Sequence, residues 1–131
     1  MINMENNKME IVQMTKPVKC HLWTNDNVSR EDLGYDNLEL IETFVDESHF
    51  SRWLVQCKEC GQLYFKEFYE EIDWIDGDDP QYVTYVPVKN ADEIEKLKKT
   101  NIFEIMLFQP CLRKDYPKGA DKPKVYWLGK N

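Results

Sequence analysis

The run Cys57, Lys58, Glu59, Cys60, Gly61 is the densest piece of potential chemistry in the sequence. Two thiolates separated by two residues in a tight turn can converge on one tetrahedral ion, with Zn–S bonds of about 2.3 Å. The glycine after the second cysteine lets the backbone take a positive φ, so that its amides turn toward the sulfurs. A closed structural site wants four donors. The other thiols and imidazoles are Cys20, His21, Cys111 and His49. A set of Cys57, Cys60 and Cys20, completed by His21 or Cys111, satisfies the chemistry. The plainer alternative is that Cys57 and Cys60 only occupy a hairpin turn, with Cys20 and Cys111 as small core residues. Redox catalysis is disfavoured, because a reactive Cys-x-x-Cys sits at a helix N-terminus, and this one falls between two expected strands.

These five residues resemble the knuckle of zinc-ribbon proteins, and their place between two strand-like runs agrees with that likeness. The resemblance implies a structural zinc. Ribbons carry a second knuckle, which this chain lacks, so the remaining donors must be brought in by the fold.

A second constellation is acidic. Glu67, Glu70, Glu71, Asp73, Asp76, Asp78 and Asp79 fall within thirteen positions with no base among them. The spacing of oxygen donors before Gly77 fails the EF-hand template. Nothing selects two of these acids for opposed environments, as a paired-carboxylate hydrolase requires. One reading is a solvated edge that keeps the sheet from aggregating. The sharper reading is a docking surface for a basic protein, in which Tyr69, Trp74 and Tyr82 supply the apolar anchors and the acids supply encounter rate. The tail from Arg113 to Lys130 is locally basic, so the acids can also be answered within the molecule. No phosphate-cradling glycine loop and no nucleophile–histidine spacing is present, so no catalytic residue is assigned.

The elements that must position these groups read as a meander. Leu38 to Val45, Phe50 to Cys57, Gln62 to Trp74 and Tyr82 to Val88 are rich in strand formers and are joined by short polar turns. The run Asp76, Gly77, Asp78, Asp79, Pro80 breaks the last pair. Tyr64, Phe68, Ile72 and Trp74 share one parity and Phe65 and Tyr69 the other, which predicts a central strand covered on one side by another element. Asn90 caps a helix over about Ala91 to Lys99, with Asp92 and Glu93 in its first turn and lysines near its end. Ile102 to Phe108 reads as a second short helix ended by Pro110. Val18 to Trp23 reads as a short strand carrying Cys20 and His21, and the tail as loop with an edge strand at Val125 to Leu128. The fold class expected is α+β: an antiparallel meander of four to five strands, covered on one face by one or two short C-terminal helices. Residues 1–17 are expected to be a flexible lead-in, and 18–131 one domain.

A chain of 131 residues fits one domain, and at that size it buries roughly two thirds of its unfolded surface and needs no disulfides. A net charge of −7 disfavours nucleic acid and anionic membranes as partners, since both need basic surfaces. Residues 1–17 show no signal-peptide pattern, and no apolar run approaches the ~20 residues of a membrane span. A cytoplasmic location follows, with cysteines reduced or metal-bound. In size, charge and aromatic-rich sheet the chain is similar to bacterial immunity proteins and antitoxins that cover nuclease toxins. The function expected is therefore a small acidic protein that engages a basic partner, stabilised by structural zinc. The alternatives are a zinc-knuckle accessory domain without inhibitory role, or an enzyme without a recognisable motif.

Overall fold

The computed structural model describes residues 10–130. In chain order the elements are β1 (Val12–Gln13), α1 (His21–Thr24), a 3-10 turn at Arg30–Leu33, β2 (Leu38–Asp46), β3 (Phe50–Cys57), β4 (Leu63–Glu70) and β5 (Gln81–Val88). Then follow α2 (Ala91–Lys98), a second 3-10 turn at Glu104–Leu107, β6 (Phe108–Gln109), β7 (Cys111–Tyr116) and β8 (Lys124–Leu128). Six of the strands form one antiparallel sheet in the order β2-β3-β4-β5-β7-β8. The four runs read from the sequence are its first four strands. Two more strands, β7 and the expected edge strand β8, bring the meander to six, against the expected four to five.

The extra strand is β7. Its Arg113, Lys114 and Asp115 read as loop residues, yet within the sheet they are matched. Arg113 pairs with Asp115 at 2.8 Å and donates to Thr84 Oγ1 at 2.7 Å. The third run is shorter than expected and ends at Glu70. Beyond it the Asp73 carboxylate accepts the backbone N–H groups of Ile75 and Asp76, which turns the chain out of the sheet.

Period-two alternation divides the apolar residues between two cores. One face carries Val55, Cys57, Tyr64, Val83, Tyr85 and Leu112, packed with Cys20, Leu22, Leu33 and Leu38. We call this face one; it lies under the segment from Cys20 to Leu33. Face two carries Leu54, Phe65, Val86, Val88 and Cys111, packed with Met14, Leu97, Ile105 and Phe108. The parity read for β4 therefore holds: Tyr64 and Phe68 face one core and Phe65 the other.

Asn90 caps α2, its side chain accepting from the Glu93 N–H at 2.9 Å, while the Glu93 carboxylate accepts from Lys89 N at 2.8 Å. At the other end, a guanidinium from the sheet meets the helix. Arg52 donates to the Leu97 carbonyl at 3.2 Å and to Thr100 Oγ1 at 3.1 Å, and is paired with Glu67 at 2.7 Å. Both ionic side chains are only 3 % exposed.

Three local expectations differ from the structure. Val18 to Trp23 is not a strand, because the Cys20 carbonyl accepts from both Trp23 N and Thr24 N and winds a single helical turn. Ile102 to Phe108 is a 3-10 turn followed by β6, not an α-helix. Residues 1–9 of the expected lead-in lie outside the described residues; beyond them β1 pairs in parallel with β6, and Met14 is buried.

Candidate metal centre

The Cys57–Gly61 turn closes β3 onto β4. Gly61 N donates to the Cys57 carbonyl at 2.8 Å, and Gly61 takes φ +83°, a conformation that disfavours any side chain. The register Gln56 opposite Leu63 fixes where the turn falls, so the two cysteines stand at the end of the sheet. The facing donors come from the chain segment laid over face one. Cys20 precedes α1 and His21 begins it, so adjacent residues present a thiol and an imidazole toward the turn.

Donor atoms of Cys20, His21 and Cys57 all lie within 4.8 Å of one another. The Cys57 Sγ to His21 Nδ1 separation is 3.7 Å. Two ligands of one tetrahedral zinc stand about 3.6 Å apart for a sulfur–nitrogen edge, from bond lengths near 2.3 and 2.05 Å. The exposed Cys60 thiol stands near Cys20 but outside that tight group of three, so a fourth donor is at hand on the same turn. The Glu59 carboxylate adds negative charge at the rim, 3.7 Å from His21 Nδ1.

Burial pushes the Cys20 thiol up to about 12, with the Tyr64 hydroxyl acting in the opposite direction. On its own that would keep Cys20 protonated. A bound divalent cation inverts this balance, because a coordinating thiol loses its proton outright. Tyr64 stands next to that thiol, close enough for its hydroxyl to bear on it. Its hydroxyl is fully buried beside Cys20 and has no hydrogen-bond partner among the described residues. A thiolate at Cys20 would give that orphaned donor an acceptor. The residues therefore fit a metal.

Of the sequence-derived donors, the fold brings together Cys20, His21, Cys57 and Cys60. Cys111 is not among them: it points into the core on face two, where burial pushes its thiol up to about 12. His49 is also elsewhere, with Nδ1 2.9 Å from a Glu70 carboxylate oxygen.

The acidic constellation is divided by the fold. Glu67 is committed inside the protein to Arg52, and burial raises its carboxyl. Glu70 accepts from Gln81 and meets His49. Lys118 bridges Asp73 at 2.9 Å and Asp76 at 2.8 Å, and holds the Asp73 carboxyl down at about 2. Asp78 accepts from Gly119 N, and Asp79 accepts from Asp73 N. These acids shape a loop and do not form one open face. What remains accessible is Glu71 and the loop tip, where Trp74 and its neighbour Ile75 are about nine-tenths exposed.

One hollow on face two gathers four of the expected partner residues. Tyr69 and Tyr82 stack with ring centres 6.5 Å apart, Phe103 meets Tyr69 edge-on, and Glu67 and Glu71 stand beside them around a cavity of about 240 Å³. Arg113 closes its floor, with its guanidinium 5.7 Å from the Tyr82 ring centre. Phe103 is the residue that sequence reasoning missed. It lies far from the acidic run in sequence, and only the 3-10 turn after α2 returns it to β4.

Compared with known proteins, the chain matches no family model, no curated protein and no solved structure. Among the described residues, no helix is long and apolar enough to cross a membrane.

Proposed function

We propose that this chain is a small non-catalytic binding domain that folds around a structural zinc and engages a basic protein partner, in the manner of an immunity protein or antitoxin. The zinc reading rests on the donor set. Three thiols and one imidazole suit zinc's preference for sulfur and nitrogen, and four protein ligands leave no open position for substrate or water. Untagged protein should carry about one zinc per chain by elemental analysis, and Cys57→Ser should lose it. Metal-free protein of unchanged stability would remove this part of the proposal.

The observation that carries the binding reading is the hollow walled by Tyr69, Tyr82 and Phe103 with Glu71 at its mouth. Aromatic ring faces attract a cation; Asp115 already answers the Arg113 charge, and the Glu71 carboxylate at the rim adds its own, so the hollow suits a lysine or arginine side chain. Trp74 and Ile75, on a loop braced by Lys118, offer apolar anchoring alongside. Affinity capture from the host should therefore retain a strongly basic protein that raised salt releases. The double variant Glu71→Lys, Phe103→Ser should lose that protein while melting as the parent does. Equal retention by the double variant, or no basic protein retained by the parent, would overturn the reading.

A further inference from the structure

On face one, the Cys20–Leu33 segment covers only one end of the sheet. The uncovered part holds two adjoining hollows of about 310 and 230 Å³ that share Trp53, Lys66 and Lys114. Lys66 is on β4 and Lys114 on β7, with β5 between them; Tyr85 stands opposite Lys66, and Val83 opposite Lys114. Their Cα atoms are about 12 Å apart, two strand spacings across and two residues along, within reach of two four-carbon side chains that point the same way. Arg30, from the first 3-10 turn, adds a third cation at the second hollow.

Elsewhere the half-buried and buried cations are partnered, Lys130 by the Trp23 carbonyl and the others by carboxylates. Arg52 has Glu67, Arg113 has Asp115 and Lys118 has Asp73. Lys66 and Lys114 have no such partner: among the described residues neither ammonium group makes an ion pair or a hydrogen bond. The Lys66 ammonium instead sits 5.0 Å from the Trp53 ring centre and 5.5 Å from that of Tyr85. Acids outnumber bases by 24 to 17 in this chain, so the missing carboxylate is a local property of the groove and not a shortage. Removing ammonium groups from water beside each other, without an anion, opposes folding. Burial and the nearby Lys114 charge bring Lys66 down to about 8, which still leaves it mainly charged at neutral pH.

We propose that this groove binds a small phosphate monoester, with the phosphate between Lys66 and Lys114 and a flat or apolar body against Trp53 and Tyr35. A phosphomonoester carries close to two negative charges at neutral pH and three acceptor oxygens, so it can meet both ammonium groups at once. The body has a wall prepared for it: Leu38 and Leu40 line the same hollow, and Tyr35 stands at its rim almost fully exposed. The site shares no residue with the metal donors or with the aromatic hollow on face two.

Titration calorimetry with phenyl phosphate tests this on the full chain. Phenyl phosphate should bind at one site, more tightly than benzoate, which lacks the second charge, and more tightly than inorganic phosphate, which lacks the ring. Lys66→Met and Lys114→Met keep the apolar stem and should each weaken binding roughly ten- to hundredfold, as expected for loss of a charged hydrogen bond. Unchanged affinity in both variants, or no preference for the phosphate ester over benzoate, would overturn the proposal. A measurement on the parent protein does not depend on the variants folding. The aldehyde of pyridoxal phosphate condenses with a lysine amine, releasing one water, and borohydride reduces the imine to a stable secondary amine. Peptide mapping should find the label concentrated on Lys66 or Lys114, and less so with phosphate-free pyridoxal. Even labelling across the surface lysines would count against the site.

Discussion

Lys66 shows how a single side chain can carry a cost that the fold tolerates. Its ammonium is held between aromatic rings and near Lys114, and its proton is released near 8 instead of at the ordinary lysine value. The unfolded chain keeps that proton to about 10.5, so between these values the unfolded state binds more protons and stability rises with pH. Below 8 the full cost of the charge is present. Lys66→Met should therefore melt above the parent at pH 7, and the gap should narrow between pH 8 and 10.5. A gap that stays constant over that range, followed by circular dichroism, would contradict the burial account. At this scale the sequence is partly legible. Cys57 and Cys60 are recognisable because both lie in one turn with Gly61 after them. The choice of His21 over Cys111 is not local: it depends on which face of the sheet β7 turns inward, and Cys111 goes to face two. Lys66 gave no signal at all, since a lysine alternating with aromatics on a strand reads as a solvent-facing residue.

Between elements, the pairing of Arg52 with Glu67 ties β3, β4 and the end of α2 into one unit. Arg52 serves as the helix's C-terminal partner, accepting no bond itself and donating to its carbonyls from inside the core. Glu67→Gln would leave that guanidinium without its counter-charge, and should cost about 3–5 kcal/mol in urea unfolding. The double change Arg52→Met, Glu67→Leu should recover most of the loss, because an apolar pair of similar volume can replace a buried ion pair. A double variant as unstable as Glu67→Gln would mean that the helix needs the guanidinium itself. Read along the chain, Glu67 is one more acid in an acidic run. Read across the β3–β4 register, it stands directly opposite Arg52, and that pairing is the signal that marks it as internal. The same reasoning recovers β7, whose run of charged residues looks like loop until Arg113 is set opposite Thr84. The meander itself is legible from its four apolar runs, because strand formers and turn residues alternate at short intervals. Strand ends are less so: Asp73 stops the third run with a side-chain hydrogen bond that composition alone does not reveal.

Across the whole molecule, the segment from Cys20 to Leu33 is fastened to the sheet at two places. One is the set of metal donors. The other is at β8, where Trp127 Nε1 donates to the Leu22 carbonyl at 2.8 Å and Lys130 Nζ to that of Trp23 at 2.6 Å, with the Trp23 and Trp127 rings edge to face. A strong chelator should therefore loosen this segment before the sheet. Trypsin should cut after Lys19 and Arg30 faster in chelated protein, while sites within β3 to β5 remain protected. Equal cleavage with and without chelator would show that the β8 fastening alone suffices. The donors are also unequally distributed along the chain. Cys57 and Cys60 are together as soon as one hairpin exists, whereas His21 arrives from 36 positions upstream of Cys57. An ion captured early by the hairpin would act as a latch that waits for the distant half. Leu33, which ends the latched segment, and Tyr35, two positions beyond it, wall the lysine groove. On the proposed zinc site, withdrawing the ion would thus strip one side from the proposed phosphate groove, so that the loss of one guest would weaken the hold on another.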